Sequence, residues 1–175
     1  MRSFAVTQIK ATAVMAGLDE VKVIDKPLRS SITDPLPRIE LEYLAEDLTF
    51  KSKRIAKFNS PDDPQKYRRV RKQRYREKLT LRVTVWADNK IWLESFVKAF
   101  LLALPNKVAD GDNNLVTISA SRAVRGGFES KAVEVFKKRS NALHINFIGM
   151  LCSDQDIPLI TDVNLKDGVD YKEQS

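Results

Sequence analysis

The sequence predicts an α+β fold, mostly antiparallel and sandwich-like, with one main packed helix, an N-terminal helix and a long basic hairpin arm. Three observations predict it. Residues 38–43 and 75–86 alternate apolar and polar side chains with the period of a strand. An apolar stripe at helical spacing follows the second of these, through Ile91, Trp92, Ser95, Phe96, Ala99, Phe100 and Ala103. Between the two strands lies a segment poor in apolar residues, with a turn sequence at Asn59-Ser-Pro-Asp-Asp-Pro64 and then a dense basic run.

Taken in order, Ala5, Ile9, Ala13 and Ala16 lie on one face of an expected helix, with Ser3 as its N-cap and Gly17 as its stop. Val21-Lys-Val-Ile24 reads as a brief strand. Pro27, Pro35 and Pro37 then hold an irregular connection in extended geometry. In the strand at 38–43, Ile39, Leu41 and Tyr43 share the core face, and Arg38, Glu40 and Glu42 face solvent. Leu79, Leu81, Val83 and Val85 form the core face of the next strand, onto which the helix that Asp88 caps and Pro105 ends should pack. The last third reads as a meander: 115–123, a glycine turn at Gly126-Gly127, 132–136, which with Glu134 amid Val133, Val135 and Phe136 reads equally as a short helix, a polar turn at Ser140-Asn141, and 143–151. Ser153-Asp-Gln-Asp-Ile-Pro158 reads as a loop into an edge strand at 158–163.

Length and composition set bounds on function. With 175 residues, 43% hydrophobic and 30% charged, the chain is expected to form one globular domain over 1–175, the arm occupying 51–78 and the tail 164–175 fraying. No apolar run reaches the ~20 residues of a membrane span, and Gln8 and Lys10 break up a signal-peptide core, so a cytoplasmic protein is expected. The lone Cys152 fits a reducing compartment and forms neither an internal disulfide nor a thiolate-rich metal site.

Little in the chain points to catalysis. His144 is the one histidine, and it alternates with the apolar Leu143 and Ile145 on a strand surface. Asp110-Gly-Asp-Asn-Asn114 begins like a calcium loop but has Leu115 where glycine is needed and Ser121 where a bidentate glutamate belongs, so it reads as a polar turn. Glu40 and Glu42 share a face with Arg38 and read as solvated, and Asp154 and Asp156 as loop residues. No nucleotide-binding or hydrolase motif occurs. A non-enzyme without cofactor or metal is the expectation.

The charge is regional. Residues 51–82 hold thirteen Lys/Arg against Asp62, Asp63 and Glu77, a local +10 in a chain of net +7. Within it Lys66, Arg68, Arg69, Arg71, Lys72, Arg74, Arg76 and Lys78 place eight cations in thirteen residues, with Tyr67 and Tyr75 interleaved. These eight are the candidate binding residues, for nucleic-acid phosphates or for an acidic protein surface. As a third reading, a charged solvated hairpin guards a sheet edge. Arg122 and Arg125, beside Gly126-Gly127-Phe128, read as a hairpin turn.

The order of helix, Pro-rich connection, Leu-Pro-Arg-Ile-Glu-Leu-Glu-Tyr strand, long hairpin, Leu-Thr-Leu-Arg-Val-Thr-Val-Trp-Ala-Asp strand, amphipathic helix and meander resembles the tail terminator and tail-completion proteins of long-tailed bacteriophages and prophages. The likeness spans residues 3–151 and rests on layout. It implies a non-enzymatic subunit, made in the bacterial cytoplasm and carried into the virion. Such subunits close into a ring, usually of six, that caps the tail tube and meets the head–tail connector. The segment it implicates in assembly contacts is 51–78. A small nucleic-acid-binding protein acting through the same basic arm is the alternative.

Overall fold

The computed structural model describes residues 1–27, 35–126 and 139–159. The elements in chain order are α1 (Arg2–Met15), a short 3₁₀ turn at Glu20–Lys22, β1 (Val23–Ile24), β2 (Arg38–Asn59), β3 (Tyr67–Ala87), α2 (Lys90–Ala103), β4 (Lys107–Ala109), β5 (Leu115–Gly126) and β6 (Arg139–Pro158). The fold is α+β. Among the described residues the strands join one six-stranded sheet in the order β1-β2-β3-β6-β5-β4, antiparallel except where β1 meets β2. A helical layer, rather than a second sheet, covers its core face.

The expected alternation builds that face. Ile39 and Leu41 on β2, Leu79, Leu81, Val83 and Val85 on β3, and Leu143, Ile145 and Phe147 on β6 are all fully buried. Ala5, Ile9 and Ala13 of α1 and Phe96 and Phe100 of α2 complete one core with them. Helix α1 starts at Arg2 without a side-chain cap, so Ser3 lies inside the helix; its carbonyl accepts from Thr7 Oγ1 at 3.0 Å. Gly17, at φ +95, adopts the left-handed geometry that ends it.

Helix α2 is capped one residue later than expected. Asn89 Oδ1, not Asp88, accepts from the backbone of Ile91 at 2.9 Å and Trp92 at 3.2 Å. Its buried residues are Leu93, Phe96, Val97 and Phe100, while Ile91 is exposed. So many positions of this helix are apolar that their spacing alone selects no single face.

Three other expectations are corrected. Arg38 and Glu40 do not face solvent: they are 1% and 6% exposed, with Arg38 Nε donating to Glu40 Oε1 at 2.7 Å. The Ser140-Asn141 turn is instead strand, within β6. Ser153–Pro158 is not a loop, because β6 continues through it to Pro158 beside β3. The expected strand or short helix at 132–136, Gly127 of the glycine turn, positions 160–163 of the edge strand and the tail at 164–175 lie outside the described residues.

Candidate functional site: the three-stranded arm

Past the helical layer, β2, β3 and β6 run on together as an arm of three strands. Helix α1 ends the covered region: Arg2 donates to Glu46 Oε2 at 3.0 and 2.7 Å, and the amino group of Met1 lies 3.8 Å from Glu77. The Met1 side chain ends against Gly149, where an added Cβ would sit 2.5 Å from Cε and that flexible end would have to shift. Beyond that point β2 is exposed from Leu44 to Asn59, about 50 Å of chain at the usual strand rise. Bulges on β2 near Leu44, Ser52 and Ile55 interrupt its register with β3, with Ser52 at φ +45.

The tip is organised by polar contacts. Asp63 Oδ1 accepts from the backbone of Gln65 and Lys66, both at 3.2 Å, and Ser60 Oγ donates to Asp156 Oδ2 at 3.1 Å. Leu159 donates its backbone N–H to the Lys66 carbonyl at 2.7 Å, tying the end of β6 to the turn.

Register divides the eight candidate cations, because residues opposite one another project on the same face. Arg69 stands opposite Asp156 and Arg71 opposite Asp154. Arg69 bonds Asp156 at 2.9 and 2.8 Å and Asp62 at 2.7 Å. Arg71 bonds Asp154 twice at 2.8 Å and covers the ring of Phe58 at 5.9 Å. These guanidiniums hold the carboxyls of Asp154 and Asp156 below the usual carboxylate range. The middle of the basic run is therefore neutralised by the acidic end of β6.

The other cations stay available. Arg68 stands opposite Ile157, and Lys72 opposite Ser153, on the face away from Arg69 and Arg71. Lys72 Nζ donates to Gln155 Oε1 at 3.3 Å. Arg74 sits in a bulge of β3, and Arg76 and Lys78 lie opposite Met150 and Ile148. Arg68, Arg74, Arg76 and Lys78 have no ion-pair partner among the described residues, and Lys66 has only an exposed contact to Asp63 at 3.8 Å.

Two cations outside that run join Arg68. Arg54 and Lys57 on β2 stand opposite Lys72 and Val70, and with Arg68 they border a concavity of about 310 Å³ over Val70, Ile157, Pro158 and Leu159. The signal that would have found them is strand register, which composition does not carry. Closer to the body, Phe50, Tyr75 and Leu151 form a cross-strand row that is 61%, 39% and 45% exposed, the two rings meeting edge to face at 5.5 Å.

The remaining candidates have structural settings. His144 is half-buried on the face opposite Leu143 and Ile145, in register with Arg82. Asp110 Oδ1 accepts from the backbone of Asp112 and Asn114 at 3.0 and 2.8 Å, closing the turn between β4 and β5. Burial pushes the Cys152 thiol up, away from the thiolate form a nucleophile needs. Among the described residues no three metal-binding side chains cluster, and no helix is long and apolar enough to cross a membrane.

The sequence matches no family model and no curated protein.

Proposed function

We propose that this chain is a structural subunit of phage or prophage tail assembly, a tail terminator whose copies close into a ring on the tail tube and join it to the head–tail connector. The observation that carries this reading is the arm itself: a three-stranded extension whose exposed row of Phe50, Tyr75 and Leu151 lies beside unneutralised cations. Exposed apolar residues in a row, rimmed by charge, are what a protein contact uses.

The sheet edges support a ring as well. β1 pairs only with Ile39 and Glu40, so among the described residues the outer side of β2 is open along the arm; β6 is likewise open past Ile148. Two different surfaces on one subunit are what a heterologous, closed assembly requires. Deleting the gene from its phage is expected to give overlong or headless tails. Tails of normal length on complete particles contradict the reading.

A second reading, nucleic-acid binding, is favoured by Arg74, Arg76 and Lys78, which are exposed and without ion-pair partners among the described residues. Its signature is duplex binding whose log-log salt slope is about −0.9 per phosphate contacted. A triple substitution of those three residues to alanine that leaves affinity unchanged eliminates it.

A further inference from the structure

We infer that the concavity bordered by Arg54, Lys57 and Arg68 docks an acidic protein segment, with an aliphatic side chain on its floor and carboxylates at its rim. This rests on the reading of the arm as a contact surface and names the side of the arm that is used and the chemistry it takes.

Charge selects the side. On the face of Arg69 and Arg71 the arm meets its own carboxylates, Asp62, Asp154 and Asp156. On the opposite face the strands place Arg54, Lys57, Arg68 and Lys72, and register puts Asn59, Ser153, Gln155 and Ile157 among them, with no acidic residue among the described ones. Guanidinium groups without internal partners are ready to take external carboxylates through charge-assisted bonds. Because β6 keeps unbroken alternation, Ser153, Gln155 and Ile157 continue the core-facing set, so this face is the one that carries the helices nearer the body.

The floor selects the kind of partner. Val70 is 1% exposed although it lies far out on the arm, and with Ile157, Pro158 and Leu159 it forms the aliphatic base of the 310 Å³ concavity. A single-stranded nucleic-acid site uses aromatic faces for bases to stack on, and none of the described residues lining the concavity is aromatic. Of the nearby rings, Phe58 lies under Arg71, Tyr75 meets Phe50 closer to the body, and Tyr67, 40% exposed opposite Pro158, alternates onto the face of Arg69 and Arg71. An aliphatic floor inside a cationic rim instead matches an acidic segment anchored by one leucine- or valine-like side chain.

The test uses the full chain and two labelled synthetic peptides, one with a central leucine flanked by glutamates and one with serine replacing that leucine. Binding is measured at physiological salt, with a mixed-sequence duplex DNA and an oligothymidylate as competitors. The leucine peptide is expected to bind more tightly than the serine peptide. Each of Arg54→Glu, Lys57→Glu and Arg68→Glu should weaken it about tenfold. The double variant Arg69→Ala/Arg71→Ala should leave it unchanged, and circular dichroism checks that every variant is folded. Equal binding of the two peptides, displacement by either nucleic acid at lower concentration than the free leucine peptide, or no binding at all overturns the proposal. Tail length in the deleted phage does not depend on any of these results, so the tail reading stands or falls separately.

Discussion

The guanidinium of Arg71 and the carboxylate of Asp154 meet in two parallel hydrogen bonds, Nε to Oδ1 and Nη2 to Oδ2, each 2.8 Å, between residues 83 apart in sequence. Two residues further out, Arg69 and Asp156 repeat the arrangement at 2.9 and 2.8 Å. Such fork-on-carboxylate contacts are directional, so the two pairs lock the register of β3 against β6 where little apolar packing is available to set it.

That lock should open in acid. The arginines depress both aspartate pKa values, so the pairs' contribution is present above the unfolded carboxylate value of about 4 and is lost as pH falls through the lower folded values. Hydrogen exchange, corrected for its intrinsic pH dependence, should show arm amides losing protection below about pH 4 while amides of the β3 core keep theirs. Asp154→Asn with Asp156→Asn should give the acid pattern already at neutral pH.

Helix α2 gives a test of the core. Phe96 is nearly buried and stacks on Trp92 at 4.8 Å between ring centres, so Phe96→Ala should cost about 3–5 kcal/mol in urea unfolding. Ile91→Ala, at an exposed position of the same helix, should stay within about 0.5 kcal/mol of the parent.

The pair of Arg38 and Glu40 is expected to behave as a buried ion contact. Glu40→Ala removes the carboxylate that accepts from Arg38 Nε at 2.7 Å and should destabilise the fold by about 3–5 kcal/mol in the same unfolding measurement.

Glu77 carries a cost at neutral pH. Burial pushes its carboxyl up, and neighbouring Glu46 pushes it the same way, against the opposing pull of the Met1 amino group. A raised folded pKa makes the protonated form the favoured one, so this group's contribution is best below the unfolded value of about 4.3 and is lost as pH rises through the folded one. Glu77→Gln should therefore raise the melting temperature at pH 7, and the gain should vanish in acid.

The body of the fold was legible because its strands have one wet and one dry side: the Leu79 to Val85 alternation assigns β3, and the helix that follows has to cover it. Alternation also placed Arg38 and Glu40 on the second face, but it says nothing of whether that face is covered, so their burial was missed. The outer half of β6 was missed because Ser153-Asp-Gln-Asp-Ile-Pro158 has loop composition, and only its pairing with β3 makes it strand. The same distant pairing hid the site's division. A count of cations treats Arg69 and Arg71 as equals of Arg68, whereas their β6 partners Asp156 and Asp154 lie more than eighty residues away, and Arg54 and Lys57 join Arg68 only through register.

The central claim, a subunit that closes into a ring, is tested most directly by native mass from light scattering across a concentration series at low and physiological salt. The account expects one discrete closed oligomer, with six copies as the size the resemblance implies. A monomer mass at every concentration and both salt conditions would contradict it.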